Sequence, residues 1–130
     1  MGTGLHMKPV VVEAAATLLG EMKAAASSLT YGALLTDDGF DVARYPMKAD
    51  GERFAGMASS MQALSEAVAH ELKIGESEYI IIASGKGHVV QLRVPGQELV
   101  LSALFDNDAT VGHALSITRT FAQKMAELLA

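Results

Sequence analysis

The sequence contains no cysteine. That absence excludes a disulfide framework, thiol catalysis and thiolate metal sites. No apolar run approaches the ~20 residues that a membrane helix needs, so membrane insertion is not expected. Basic residues are scarce. Ten Lys and Arg against fifteen Asp and Glu give a formal net charge of -5. Phosphate recognition requires clustered Lys and Arg, so this balance argues against a nucleic-acid partner. Aromatic residues make up only 5% of a chain that is half apolar. Ala, Val, Leu, Ile and Met must therefore build the core. At 130 residues the chain fits one domain, which buries roughly two-thirds of its unfolded surface without needing metal or disulfides. The Gly-rich start, Met1 to His6, has no hydrophobic segment of the signal-peptide kind. It is read as a leader outside the fold, which leaves 7–130 as a single domain.

What is present is periodic. Apolar residues recur at helical spacing from Pro9 to Ser28, through Val11, Ala15, Leu18 and Met22, which predicts an amphipathic helix. Leu29 to Thr36 is short and apolar. It is followed by Asp37-Asp38-Gly39, where a glycine suited to positive φ turns the chain into a return strand, Phe40 to Tyr45, ended by Pro46. The longest helix is predicted over Glu52 to Lys73. Its apolar stripe is Phe54, Met57, Ala58, Met61, Leu64, Val68 and Leu72, and Gly75 stands where a helix-ending glycine belongs. Three strands follow: Glu78 to Ser84, His88 to Val94, and Leu99 to Phe105. The unbroken run Tyr79 to Ala83 predicts a strand covered on both faces. Asn107 or Asp108 is placed to cap a last helix, Ala109 to Leu129. The fold class is α+β, in the order αββαβββα. One five-stranded, mainly antiparallel sheet carries helices on both faces.

No constellation of catalytic residues emerges. Ser84-Gly85-Lys86-Gly87 lacks the spacing of a phosphate-binding loop and joins two strands. Asp106 and Asp108 lack the further ligands of a calcium loop. The histidines, His6, His70, His88 and His113, form no zinc-binding pair and are expected to be solvated. No serine stands in a nucleophile elbow. The expectation is a chain that is not an enzyme, holds no metal and takes no cofactor.

Three segments in order carry a family likeness. Gly32-Ala33-Leu34-Leu35-Thr36-Asp37-Asp38-Gly39-Phe40-Asp41-Val42-Ala43, Glu52-Arg53-Phe54-Ala55-Gly56-Met57-Ala58, and Leu104-Phe105-Asp106-Asn107-Asp108-Ala109-Thr110-Val111-Gly112 resemble the first hairpin, central helix and last strand–helix junction of the roadblock (dynein light chain) family. The likeness covers Leu29 to Leu129 and implies a roadblock/profilin-like fold. It also implies a homodimer, with sheets joined edge to edge and central helices side by side. Bacterial members sit beside Ras-like small GTPases and control their nucleotide state or location. The implied function is thus a non-catalytic, cytoplasmic adaptor of such a GTPase. A small-ligand sensor and a self-assembling structural protein remain the alternatives.

With the central stripe taken to face the sheet, one flank of that helix carries Gly56, Ser60, Ala63 and Ala67, all small, with Leu64 at its border and Arg53 and Glu71 at its two ends. Small residues let helix backbones approach. The expected two-fold contact therefore runs along this flank, with Arg53 of one copy opposite Glu71 of the other. Tyr79 and Ile81 of the apolar strand join the interface, and Gln62 on the other flank is expected to face water.

Overall fold

The computed structural model describes residues 8–46 and 51–130; Met1 to His6, read above as a leader, lies outside them. The chain forms α1 (Pro9–Ala25), β1 (Leu29–Thr36), β2 (Asp41–Tyr45), α2 (Gly51–Glu71), β3 (Ile80–Ser84), β4 (Gly87–Arg93), β5 (Leu99–Asp106) and α3 (Val111–Leu129). The expected order is reproduced. All four strand pairings are antiparallel. The sheet order is β2-β1-β5-β4-β3, so the last strand closes the sheet between the two hairpins.

Turn chemistry sets both hairpins. Gly39 has φ 91°, and a Cβ there would stand 3.1 Å from the Ser59 Cβ of α2. The β3–β4 turn needs only Gly85 and Lys86, and Ser84 Oγ donates to the Gly87 carbonyl at 2.7 Å. At Gly87 the strands come so close that a Cβ would lie 2.7 Å from the Phe105 carbonyl oxygen.

Alternation along the strands divides the interior in two. On one face Leu29, Leu34, Val90, Leu92, Leu101, Ala103 and Phe105 pack against Ala15, Leu19 and Met22 of α1 and Ala114, Phe121, Ala122 and Met125 of α3. On the other face Tyr31, Ala33 and Leu35 meet Ala55 and Ala58 of α2, with Phe54 and Leu104 at the margin.

Several expectations need correction. Helix α1 ends at Ala25 rather than Ser28, where Ala26 turns extended and Lys23 Nζ caps the carbonyls of Ser27 and Leu29 at 2.8 Å each. Helix α3 is capped by Thr110, not by Asn107 or Asp108. Its Oγ1 accepts from the His113 amide at 3.1 Å, while Asp106 closes the preceding turn on the Asp108 amide. Past the end of α2 two residues have positive φ, Lys73 at 57° and Gly75 at 95°, and the first of them makes the cap. The Ile74 amide bonds back to the Ala69 carbonyl, the wrapped ending common at helix C-termini. Strand β3 is not covered on both faces. It is an edge strand, half-buried at Ile80 and Ile81 and exposed from Ile82.

The largest correction concerns α2. The residues it turns to the sheet are Gly51, Ala55, Ala58, Gln62 and Ala69. Met57, Leu64, Val68 and Leu72, expected inside, are 55%, 66%, 46% and 62% exposed. The reason is distance. Small side chains let the helix lie close on a sheet face that already carries Tyr31 and Gln91. Gln62, expected in water, is buried because Gln91 meets it there.

Candidate interaction surface

Two features of the same side of the molecule coincide. The first is the free edge of β3. Edge strands present unpaired N–H and C=O groups, and soluble proteins usually blunt them with Lys, Pro or a bulge. Ile80-Ile81-Ile82 has none of these, and its pairing with β4 is regular throughout. The second is the outer face of α2, which packs over β3 as well as β1 and β2. One half of that face is large and apolar: Met57, Leu64, Val68 and Leu72, continued by Ile74 at 70% exposure and by Ile82 at 47%. The other half is small: Gly56, Ser60, Ala63 and Ala67, all exposed. Leu64 lies on the border of the two. Exposed apolar area of this extent is unusual for a surface facing only water.

The residues expected at an interface divide accordingly. Arg53, Gly56, Ser60, Ala63, Leu64, Ala67 and Glu71 all lie exposed on the outer face of α2, Arg53 and Glu71 at its two ends. Tyr79 precedes β3 rather than lying in it. Its ring faces Arg119 of α3, with the guanidinium 5.5 Å from the ring centroid, so it belongs to the α3 side. Ile81 turns its side chain into the α1/α3 core; its backbone is what the edge offers. Sequence reasoning misses Val68, Leu72, Ile74 and Ile82 as surface residues. Their signal is present, since a stripe of large residues on an Ala-rich helix also fits an outward face.

A polar chain ties α2 to the sheet. Gln91 Nε2 donates to the Ala58 carbonyl at 2.9 Å and to Gln62 Oε1 at 3.2 Å. Gln62 Nε2 donates to Glu66 at 2.8 Å. Arg93 then bridges Glu66, at 2.5 Å, and both carboxylate oxygens of Asp37, at 2.8 Å each. The Gln62 amide and the Arg93 guanidinium hold the Glu66 carboxyl below its ordinary value of 4.5. Burial works against the charge on Arg93, but its bonds to Asp37 and Glu66 outweigh that and raise its pKa.

A carboxyl whose pKa is depressed by folding adds stability above its unfolded pKa and loses it as pH falls through the folded one. The stability gap between the native protein and E66Q, read from urea midpoints, is therefore expected to narrow as pH is lowered from about 6 toward about 3. The side chain is 47% exposed, so the gap is small. A gap that stays constant with pH shows that the Glu66 charge contributes nothing to folding.

The histidines are less uniform than expected. His70 and His113 are exposed, but His88 is half-buried with Nε2 3.1 Å from the Ala109 carbonyl oxygen. Among the described residues no group of three or more His, Asp or Glu is placed to hold a metal ion, and no helix is long and apolar enough to cross a membrane. A depression of about 650 Å³ runs along α3 past Leu115, Ser116, Arg119, Thr120 and Gln123. It is open to solvent along its length and does not enclose a ligand.

No protein-family model matches the sequence, and no curated protein matches it. Solved structures do. An MglB described as having a tetrameric arrangement superposes with a TM-score of 0.81 at 19% identity, over 93% of this chain and 91% of that one. The gliding protein MglB of Thermus thermophilus gives 0.80 at 17% identity, over 93% and 92%. A Roadblock/LC7 domain from Streptomyces avermitilis gives 0.79 at 15% identity, over 88% and 96%. At these identities the likeness is one of fold: the chain has the roadblock fold over nearly its whole length.

Proposed function

We propose that this chain, folded as a roadblock domain with an unprotected apolar sheet edge, is a non-catalytic homodimeric adaptor that regulates a Ras-like small GTPase in the cytoplasm. The observation that carries the reading is the joint exposure of the β3 edge and the outer face of α2 on a chain whose fold neighbours are MglB and Roadblock/LC7 domains. A second copy, related by a two-fold axis, pairs β3 with β3 and completes one continuous sheet. The same axis sets the two α2 helices antiparallel, so each contact occurs twice. The axis passes at the level of residue 62, midway between Ser60 and Leu64. Gly56, Ser60, Ala63 and Ala67 allow close approach on one side, and Val68 and Leu72 bury apolar area on the other. Arg53 and Glu71 pair across the rim, where an exposed ion pair is worth only ~0–1 kcal/mol and sets register more than affinity.

The GTPase reading rests on the fold likeness and on what the family resemblance implies. Pull-down from the native cell, with the partner locked by a GTP analogue or by GDP, tests it. A small GTPase retained preferentially in one nucleotide state is the expected result. Recovery of no GTPase in either state overturns the adaptor reading. The protein alone is expected to bind GTP and Mg²⁺ no better than background in calorimetry, because its sequence carries no phosphate-binding loop motif. A micromolar nucleotide site counts against the reading.

A further inference from the structure

The two faces of the sheet are sealed by different chemistry. Beneath α1 and α3 the contact is apolar, with Leu19, Met22, Leu34, Leu101, Phe105 and Met125 fully buried, and Thr118, buried with them, donates within its own helix to the Ala114 carbonyl. Beneath α2 the helix presents Ala58, Gln62 and Ala69, and the sheet answers with Gln91 and Ser102. Gln91 and Ser102 are register partners across β4 and β5, and both are fully buried. Among the described residues Gln91 Oε1 and Ser102 Oγ find no hydrogen-bond partner. A buried acceptor or hydroxyl left unsatisfied favours any rearrangement that brings it a partner.

The two ends of α2 are held differently. Its first turns are anchored: Gly51 and Ala55 are buried, and the Phe54 ring meets Tyr31 edge-on at 4.5 Å. From Gln62 onward only Gln62 and Ala69 are buried. The large residues of that half, Leu64, Val68 and Leu72, already stand in water.

We propose that the Gln62–Gln91 contact is a release joint: the C-terminal half of α2, Gln62 to Glu71, lifts from the sheet and unwinds, while the Phe54–Tyr31 end stays held and the α1/α3 layer stays closed. Lifting breaks the bonds of Gln91 to Gln62 and to the Ala58 carbonyl and the half-exposed ion pair of Glu66 with Arg93, loses the burial of Gln62 and Ala69, and admits water to Gln91 Oε1 and Ser102 Oγ. Local opening of this kind draws on segments with few buried apolar contacts. The inference goes beyond the adaptor reading and stands whether or not a GTPase binds.

Amide hydrogen exchange of the full chain, followed by mass spectrometry at one fixed concentration, tests it. In Q62L/Q91L the joint becomes apolar. Exchange of amides 62–72 is expected to slow at least ~10-fold while that of 114–125 is unchanged, the pattern of a local opening. In Q91A both bonds are lost, and exchange of 62–72 is expected to quicken with 114–125 again unchanged. Q91A decides alone if the double variant does not fold. Rates over 62–72 that do not move, or that move together with those over 114–125, overturn the proposal.

Discussion

Ile82→Lys is expected to leave the protein folded and to split the dimer. Ile82 stands in the edge strand, 47% exposed, and its register partner is Val89 of β4. It therefore lies on the α2 side of the sheet, next to the apolar half of the α2 face. A lysine on an exposed edge is how soluble proteins prevent edge-to-edge pairing. The two-fold axis places two such lysines at one seam, so like charges meet and both must be desolvated. Association should weaken by at least ~100-fold, about 2.8 kcal/mol. Sedimentation of the native protein, I82K and S116K, the last on the outer face of α3, measures it. Leu64→Glu should act as strongly as I82K, and Ala63→Glu and Ala67→Arg in the same direction. A dimer equally stable in the native protein, I82K and L64E places the contact between copies elsewhere.

Phe105→Ala is expected to cost about 3–5 kcal/mol of folding free energy, the range for truncating a buried Phe. Phe105 is the largest of the fully buried side chains. It sits on the α1/α3 face of β5, paired with Leu29 on one side and His88 on the other. The strands on both sides are held in the sheet, so the backbone cannot close on the space. Against a total stability of about 5–15 kcal/mol, this brings the protein near its unfolding limit. Leu128→Ala, at a side chain 45% exposed, should stay within about 0.5 kcal/mol of the native protein. Urea unfolding of the two variants makes the comparison. A loss under about 1 kcal/mol for F105A shows that the core repacks around the gap.

The parts of the fold legible in the sequence are those fixed by local chemistry. Asp37-Asp38-Gly39 and Gly85-Lys86 are short polar turns between apolar runs, and they locate both hairpins to within a residue or two. The α1 and α3 stripes contain Leu, Met and Phe on one side only, so one orientation alone buries them. Helix α2 is different. Its large residues and its small ones mark two faces that both suit a helix. Which face meets the sheet depends on Gln91 and Tyr31, far away in the chain, and no helical period reports on them. The same holds for Ile80-Ile81-Ile82. An apolar run registers burial on two faces, but cannot say whether its own chain or another copy covers it. The α2 residues expected at the interface do share one exposed helix face. The premise for that face, a sheet-buried Leu64 and Val68, is the part the structure reverses.

The place of β5 between β1 and β4 bears on how the chain acquires its structure. Leu29 pairs with Phe105 and Thr36 with Leu99, so β1 waits for the central strand β5, which is made long after it. Each hairpin can form early on its own, but an isolated hairpin is only marginally stable in water. The sheet closes when β5 arrives, and both helical layers settle only then. Pairings this distant in sequence slow folding, toward the millisecond-to-second range. A nascent chain ending at Glu98 holds Leu34, Val90 and Leu92 with no sheet to bury them. Until the remaining segment is released, that intermediate is the form of this protein most exposed to aggregation and to chaperone capture.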